Sequence, residues 1–319
     1  MRWPKSHRRR HRQRSTLGTL VRIAAVGSLA AAAVLPLVRK RFAIPPPLTV
    51  AAVASAPFAL AVLRPRTRAR DVGIFVLQMW AFTVAHELPF DDPERLRGRL
   101  NVRYPIRVDR ALGCGELPTH RLQRVFSRPG PVGARDVFLT IVHWAWFLEP
   151  HLALLWVLLR DEERFPRAAR QMAAAFDLGC AIYVLVPTAP PWWAGENGYI
   201  ARPVRRIMVE VGEPMWGRAW PKMYESLGGN PWAAMPSLHF ATSGLAAILL
   251  AESGPDTGAA GWGYALTLGF ALVYLGEHYV VDLLVGAALV ALVRGGEPLV
   301  GPLAERVSGA VQRLERLAA

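Results

Sequence analysis

Apolar residues in this chain fall into long runs, and polar clusters punctuate them. Runs near 20 residues are the pattern of helices that cross a bilayer. The pattern predicts eight spans: Leu17–Val38, Leu48–Leu63, Asp71–Leu88, Asp136–Leu159, Gln171–Val186, Met235–Ala251, Ala259–Leu275 and His278–Val293. Arg22 interrupts the first, at a depth from which it snorkels to the near interface. Pro45-Pro46-Pro47 marks the turn between the first two. Between spans, Pro93–Asn101 and Leu117–Phe126 have the pattern of short amphipathic helices, and so does 303–318, with Val307, Val311 and Leu314 on one side. The expected fold is all-α and polytopic. A six-helix core, residues 71–294, follows a basic tail (1–16) and an N-terminal helical hairpin (17–70), and an amphipathic tail (295–319) closes it.

Charge then sets the expected orientation. The formal net charge is +14, and 52% of the 319 residues are hydrophobic. The basic tail with Arg8-Arg9-Arg10 and the Arg64–Arg70 connector belong in the cytoplasm by the positive-inside rule. With both termini inside, the polar loops 89–135 and 187–234 lie outside. The many arginines of 89–135 break the rule there: either the span count is wrong, or they face anionic lipid headgroups beside a site, the preferred expectation, with a solvated charged face as a further alternative. Nucleic acid is not the expected partner, because the tail lacks interleaved aromatics and leads straight into an apolar run. Cys180 falls inside a span, so no structural disulfide with Cys114 is expected. No His/Cys cluster has metal-ligand spacing, and no metal or cofactor is expected. Arginine far outnumbers lysine, and alanine and glycine are abundant, a composition of GC-rich bacterial genomes.

Candidate chemistry gathers between Met235 and Asp282. Met235-Pro236-Ser237-Leu238-His239 opens one apolar helix, and Glu277-His278-Tyr279-Val280-Val281-Asp282 opens another. Between them lie two apolar segments, each of about 18 residues and about 27 Å long, so the chain goes out and returns. His278 therefore comes back to the face where His239 sits. Pro236 suits a first helical turn, whose free amides and dipole favour anions; the Ser237 hydroxyl adds a donor. His278 and Asp282 share a helix face at i, i+4. A carboxylate there fixes the imidazole tautomer and leaves the other nitrogen unprotonated. His143, Glu149 and His151 fall within the fourth span, where ionisable groups are costly and Pro150 is placed to kink the helix; Asp177 falls within the fifth and is expected to face the bundle interior. His86-Glu87 reads as an interfacial pair.

Pro236-Ser237-Leu238-His239 and His278-x-x-x-Asp282 resemble the second and third signature motifs of the type 2 phosphatidic acid phosphatase superfamily. Ala234–Ala241 and Pro187-Thr188-Ala189-Pro190-Pro191-Trp192-Trp193 look most like its inositol phosphorylceramide synthase branch. The resemblance covers roughly Asp71 to Arg294. It implies that His278 attacks phosphorus, that His239 protonates the leaving oxygen and that Asp282 orients His278. Two positions depart from the pattern: Leu272 stands where members carry Arg, and Gly195 where they carry Lys ahead of Arg202-Pro203. Expected substrate contacts are Ser237, Arg202, Lys222, Arg107, Arg110 and Asn230. The resemblance implies a metal-independent enzyme of the cell membrane, its site on the extracytoplasmic side. Its substrate would be a phospholipid or polyprenyl phosphate, and a polyol would serve as acceptor in a transferase. A phosphatase acting on lipid phosphate or polyprenyl pyrophosphate is the second expectation, and a non-enzymatic lipid transporter or scaffold the third.

Overall fold

The computed structural model describes residues 16–127, 132–217, 220 and 230–319. Lys222 and Arg218 lie outside the described residues. Among those described, the chain is helical, with isolated β-bridges and no strands. It divides into two compact units, 1–78 with 301–319, and 79–300.

In the first unit, α1 (Thr16–Val38) and α2 (Pro46–Leu63) form a hairpin. Ala25, Ala59 and Val62 cluster with Ala318, the small side chains allowing close approach. Arg22 donates to the Ala318 carbonyl at 3.1 Å, satisfying an orphan at a helix end. Arg70 holds the basic connector by donating to the carbonyls of Ala61 and Arg64.

The second unit begins within α3 (Arg68–Glu87) and ends within the last helix. It contains α4 (Pro93–Arg97), α5 (Arg103–Leu112), α6 (Pro118–Phe126), α7 (Ala134–Ala145), α8 (Glu149–Arg160), α9 (Phe165–Leu185), α10 (Pro191–Glu196), α11 (Ile207–Trp216), α12 (Leu238–Ala251) and α13 (Pro255–Tyr274). The last helix, α14, runs from Val280 to Ala318. The expected separate amphipathic helix over 303–318 is thus the end of one 39-residue helix.

Helix α12 is the centre of this unit and packs on α8, α9 and α13. Ala241, Thr242, Ser243, Leu245, Ala246, Ala247 and Leu249 are fully buried, the pattern of a helix surrounded on all sides. Where an eight-span bundle was expected, α1, α2 and α14 are long and apolar enough to cross alone, among the described residues. The pair α7 and α8, bent by 52°, makes a fourth. The break falls at 146–148, just ahead of Pro150, which sits in the first turn of α8, where a missing N–H is tolerated. The other expected spans are helical but shorter or more polar. Residues 235–237 lie outside α12, leaving 14 residues, about 21 Å.

The polar loops form a layer over one end of the bundle. Thr188 bridges Asn101 on one side and Ala233 on the other. The amides of Asn101, Thr188, Ala189 and Ala234 donate across the three segments at 2.8–3.2 Å. Beneath them Ile106, Leu117, Ala194, Val204, Trp232 and Tyr279 form one apolar cluster. Trp192 and Trp193 pack at its margin, and Arg206 stacks over Trp192 at 3.8 Å.

Candidate active site

Ser237 caps α12: its Oγ accepts the Phe240 N–H at 3.3 Å. Its own N–H donates to the Asp282 carbonyl at 2.9 Å, joining the start of α12 to the start of α14. Gly286, one turn along α14, permits this approach; a Cβ there would meet the Ser237 carbonyl oxygen at 2.7 Å. The Leu238 amide donates to the Tyr183 hydroxyl, which donates to the Pro236 carbonyl at 2.7 Å. Two first-turn amides of α12 are therefore already satisfied, and the expected cradle of free amides is not formed by these two. Ser237 is itself fully buried.

His278 sits in the short turn between α13 and α14. Gly276 makes that turn with φ of +83°, a conformation glycine adopts without cost. The amides of Glu277 and His278 then donate to the Leu272 carbonyl at 3.1 and 3.2 Å, closing the end of α13. Leu272 contributes backbone here, and its side chain is fully buried.

The turn brings His278 Nε2 to 3.2 Å from His239 Nδ1. On its other side, His278 Nδ1 lies 3.3 Å from Asp282 Oδ2, which also accepts the Tyr279 N–H at 2.8 Å. His278 is 4% exposed and Asp282 0%. A carboxylate accepts only, so His278 Nδ1 carries its proton and Nε2 keeps its lone pair. The His239 Nδ1–H then donates to that lone pair. This is an oriented imidazole whose unprotonated nitrogen faces a second imidazole able to move protons.

The walls come from α7. Trp146 covers His239 with ring centroids 4.1 Å apart, and His143 with centroids 4.7 Å apart. Trp146 donates its Nε1–H to Thr242 Oγ1 at 2.8 Å, and the Thr242 hydroxyl donates to the Leu238 carbonyl at 2.7 Å. Behind this wall the Ser243 hydroxyl donates to Glu149 at 3.0 Å. His86 packs between Phe82 and Tyr183, at centroid distances of 5.6 and 5.7 Å. A mostly apolar cavity of about 450 Å³ opens between α8, α12 and α13, lined by Glu149, Trp156 and Tyr264 among others, away from the histidine pair.

From outside, α5 ties the turn down. Asp109, fully buried, accepts the amides of Val280 and Val281 on its two oxygens, each at 2.9 Å. Burial pushes the Asp109 carboxyl above its ordinary range, and the two amides pull it partly back. The Gln123 side chain of α6 donates to the carbonyls of Tyr274 and Arg205, and the Trp192 amide donates to that of Gly276.

The structure thus brings together His239, His278 and Asp282, with Ser237 beside them. Arg107 and Arg110 stand exposed on α5, on residues flanking the one that reaches α14. Arg202 is exposed, and its carbonyl bonds His120 Nε2 at 3.1 Å. Asn230 is buried; its Oδ1 accepts the Trp232 N–H at 2.9 Å, and its Nδ2 has no hydrogen-bond partner among the described residues. Sequence reasoning missed Asp109, Gln123 and Trp146. Only spacing hinted at the last, since Trp146 lies one turn from His143.

The family model described as PAP2 superfamily matches residues 106–295, which take in α5 from Ile106 onward, both histidine stretches and the apolar part of α14. No curated protein and no solved structure matches the chain. More than half of the chain lies within the family match, together with the whole His239–His278–Asp282 array: the chain belongs to the PAP2 superfamily.

Proposed function

We propose that this membrane protein is a lipid phosphotransferase that works through a phosphohistidine at His278. Membership of the superfamily carries lipid phosphatase or phosphotransferase chemistry in general. The observation behind the finer reading is the continuous array Asp282–His278–His239, with contacts of 3.3 and 3.2 Å.

In this reading the phosphate displaces the His239–His278 hydrogen bond. The His278 Nε2 lone pair attacks phosphorus, and the bond from phosphorus to the leaving oxygen breaks. Protonated His239 gives its proton to that oxygen and becomes neutral. In the second half, neutral His239 takes the proton of an incoming hydroxyl, whose oxygen attacks phosphorus and breaks the P–N bond. Asp282 holds the tautomer throughout. Positive charge around the phosphoryl oxygens supplies the electrostatic part of catalysis. Arg107, Arg110, Arg202 and Lys222 are the proposed sources, with the Ser237 hydroxyl and Asn230 Nδ2 as hydrogen-bond donors. All the groups given roles are protein side chains, so the reaction is written without a metal.

The proposed substrate is a phospholipid or polyprenyl phosphate, and the acceptor a polyol such as inositol, on the residues 187–193 and 234–241 quoted above. The site is placed on the extracytoplasmic side of the cell membrane, with both termini inside, on the charge pattern of the connectors. Purified protein incubated with phosphatidic acid labelled in its phosphate, with and without inositol, tests the reading. Label transferred to inositol supports transfer. Free phosphate in equal amount in both tubes makes the enzyme a phosphatase and retires the transferase reading.

A further inference from the structure

We infer that Asp109 is a positioning residue for the catalytic turn, and that it links the seating of the arginine-bearing helix α5 to the placement of His278. The inference rests on the reaction proposed above. It comes from the way the start of α14 is held. Four backbone amides leave a helix start without partners inside the helix. Here carboxylates take three donors in a row at this start: Asp282 takes the Tyr279 amide, and Asp109 takes those of Val280 and Val281.

Asp282 belongs to α14 itself, so its bond shapes the turn but anchors it to nothing. Asp109 comes from 171 residues away in the chain and anchors the turn to α5. Hydrogen bonds between an ionised carboxylate and backbone amides are among the strong ones. His278 precedes the clamped amides by two residues, so a shift at Val280 moves its ring against both Asp282 and His239. Helix α5 presents Asp109, Ile106 and Pro105 inward and leaves Arg103, Arg107 and Arg110 exposed. A ten-residue helix thus has an anion-attracting face outward and, on its inner face, a bond to the catalytic helix.

The test uses the full chain in detergent, with a short-chain fluorescent phosphatidic acid as substrate. Asp109→Ala and Asp109→Asn are compared with wild type by steady-state kinetics and by hydrogen exchange. In Asp109→Ala, misplacement of the turn lowers kcat on the order of 100-fold. KM stays within about twofold, because the loss falls on the transition state rather than on uniform binding. Exchange quickens at Val280 and Val281 and stays as in wild type at 244–251. Asp109→Asn keeps one oxygen as acceptor and recovers kcat to within about tenfold of wild type, a rescue on the scale of one retained hydrogen bond. Wild-type kcat in Asp109→Ala, or a loss carried wholly by KM, overturns the inference. If Asp109→Ala fails to fold, Asp109→Asn decides: slower turnover with faster exchange at Val280 supports the clamp, and wild-type values in both end it. If wild type itself does not turn over, the proposed reaction fails. Exchange still decides the clamp, since unchanged rates at Val280 and Val281 refute it.

Discussion

His239 Nδ1 lies 3.2 Å from His278 Nε2, so in the resting protein one imidazole covers the lone pair of the other. The same contact holds the two groups at a distance that a phosphoryl group inserted between them would open. In the proposed reaction each histidine then faces one side of the phosphorus centre, as nucleophile and proton donor require.

Replacing His278 by Ala removes the proposed nucleophile, and turnover of phosphatidic acid falls to background while expression is retained. His239→Ala keeps the nucleophile but lacks the proton donor, and kcat falls about 10²–10⁴-fold. Acid-labile phosphate on the protein, followed after a pulse of labelled substrate, separates the two. It is absent in His278→Ala and present in wild type. Labelled protein in His278→Ala rules out the assignment.

In Asp282→Asn a single atom position, that of Oδ2, must still serve both His278 Nδ1 and the Tyr279 amide. The amide nitrogen placed there offers a donor to His278 Nδ1 and favours the wrong tautomer, and the amide oxygen placed there lacks the charge that holds the Nδ1 proton. The rate falls by on the order of 10⁴, the scale of tautomer loss in a comparable triad. A wild-type rate removes Asp282 from the mechanism.

The wall behind His239 predicts a stability effect with a smaller effect on rate. Thr242→Val leaves the Trp146 N–H buried without its acceptor, at a cost of about 1–3 kcal/mol. The variant unfolds at lower temperature by differential scanning fluorimetry. Trp146→Phe keeps a ring over His239 and retains more activity than Trp146→Ala. Equal activities would show that the contact does not orient His239.

Gly286 allows α14 to touch the carbonyl of Ser237, where an added Cβ would come to 2.7 Å. Gly286→Val forces the two helix starts apart and costs about 1–3 kcal/mol, as overpacking does. Activity falls with it, because that contact also sets the His239–His278 distance. A fully active Gly286→Val would show that the helices part without moving the histidines.

The His120–Arg202 contact predicts pH dependence in the loop layer. Burial lowers His120 below its ordinary 6.5, although its bond to the Arg202 carbonyl works the other way and Arg110 and Arg202 lie near. The folded protein then binds fewer protons at this site than the unfolded chain. Its stabilising effect is full above about 6.5 and fades as pH falls through that value and towards the lower folded one. Limited proteolysis around Arg202 quickens as pH is lowered from 7.5 to 5.5, and His120→Gln flattens that change. An equal change in the variant would place the sensitivity elsewhere.

The sequence by itself determined the helical membrane class and the identities of His239, His278 and Asp282. Those follow from local rules: apolar runs set spans, Ser237 caps a helix, and i, i+4 spacing puts His278 and Asp282 on one face. It also placed the return of His278 beside His239, because two consecutive helices of similar length form a hairpin. Only the tertiary structure decided what surrounds them. Asp109, Gln123 and Trp146 reach the site from loops and helices remote in the chain, and no spacing records such partnerships. The start of α12 shows the same limit. Its amides promised an anion site, yet Tyr183 and Ser237 use two of them, because a buried amide takes the nearest acceptor the fold supplies.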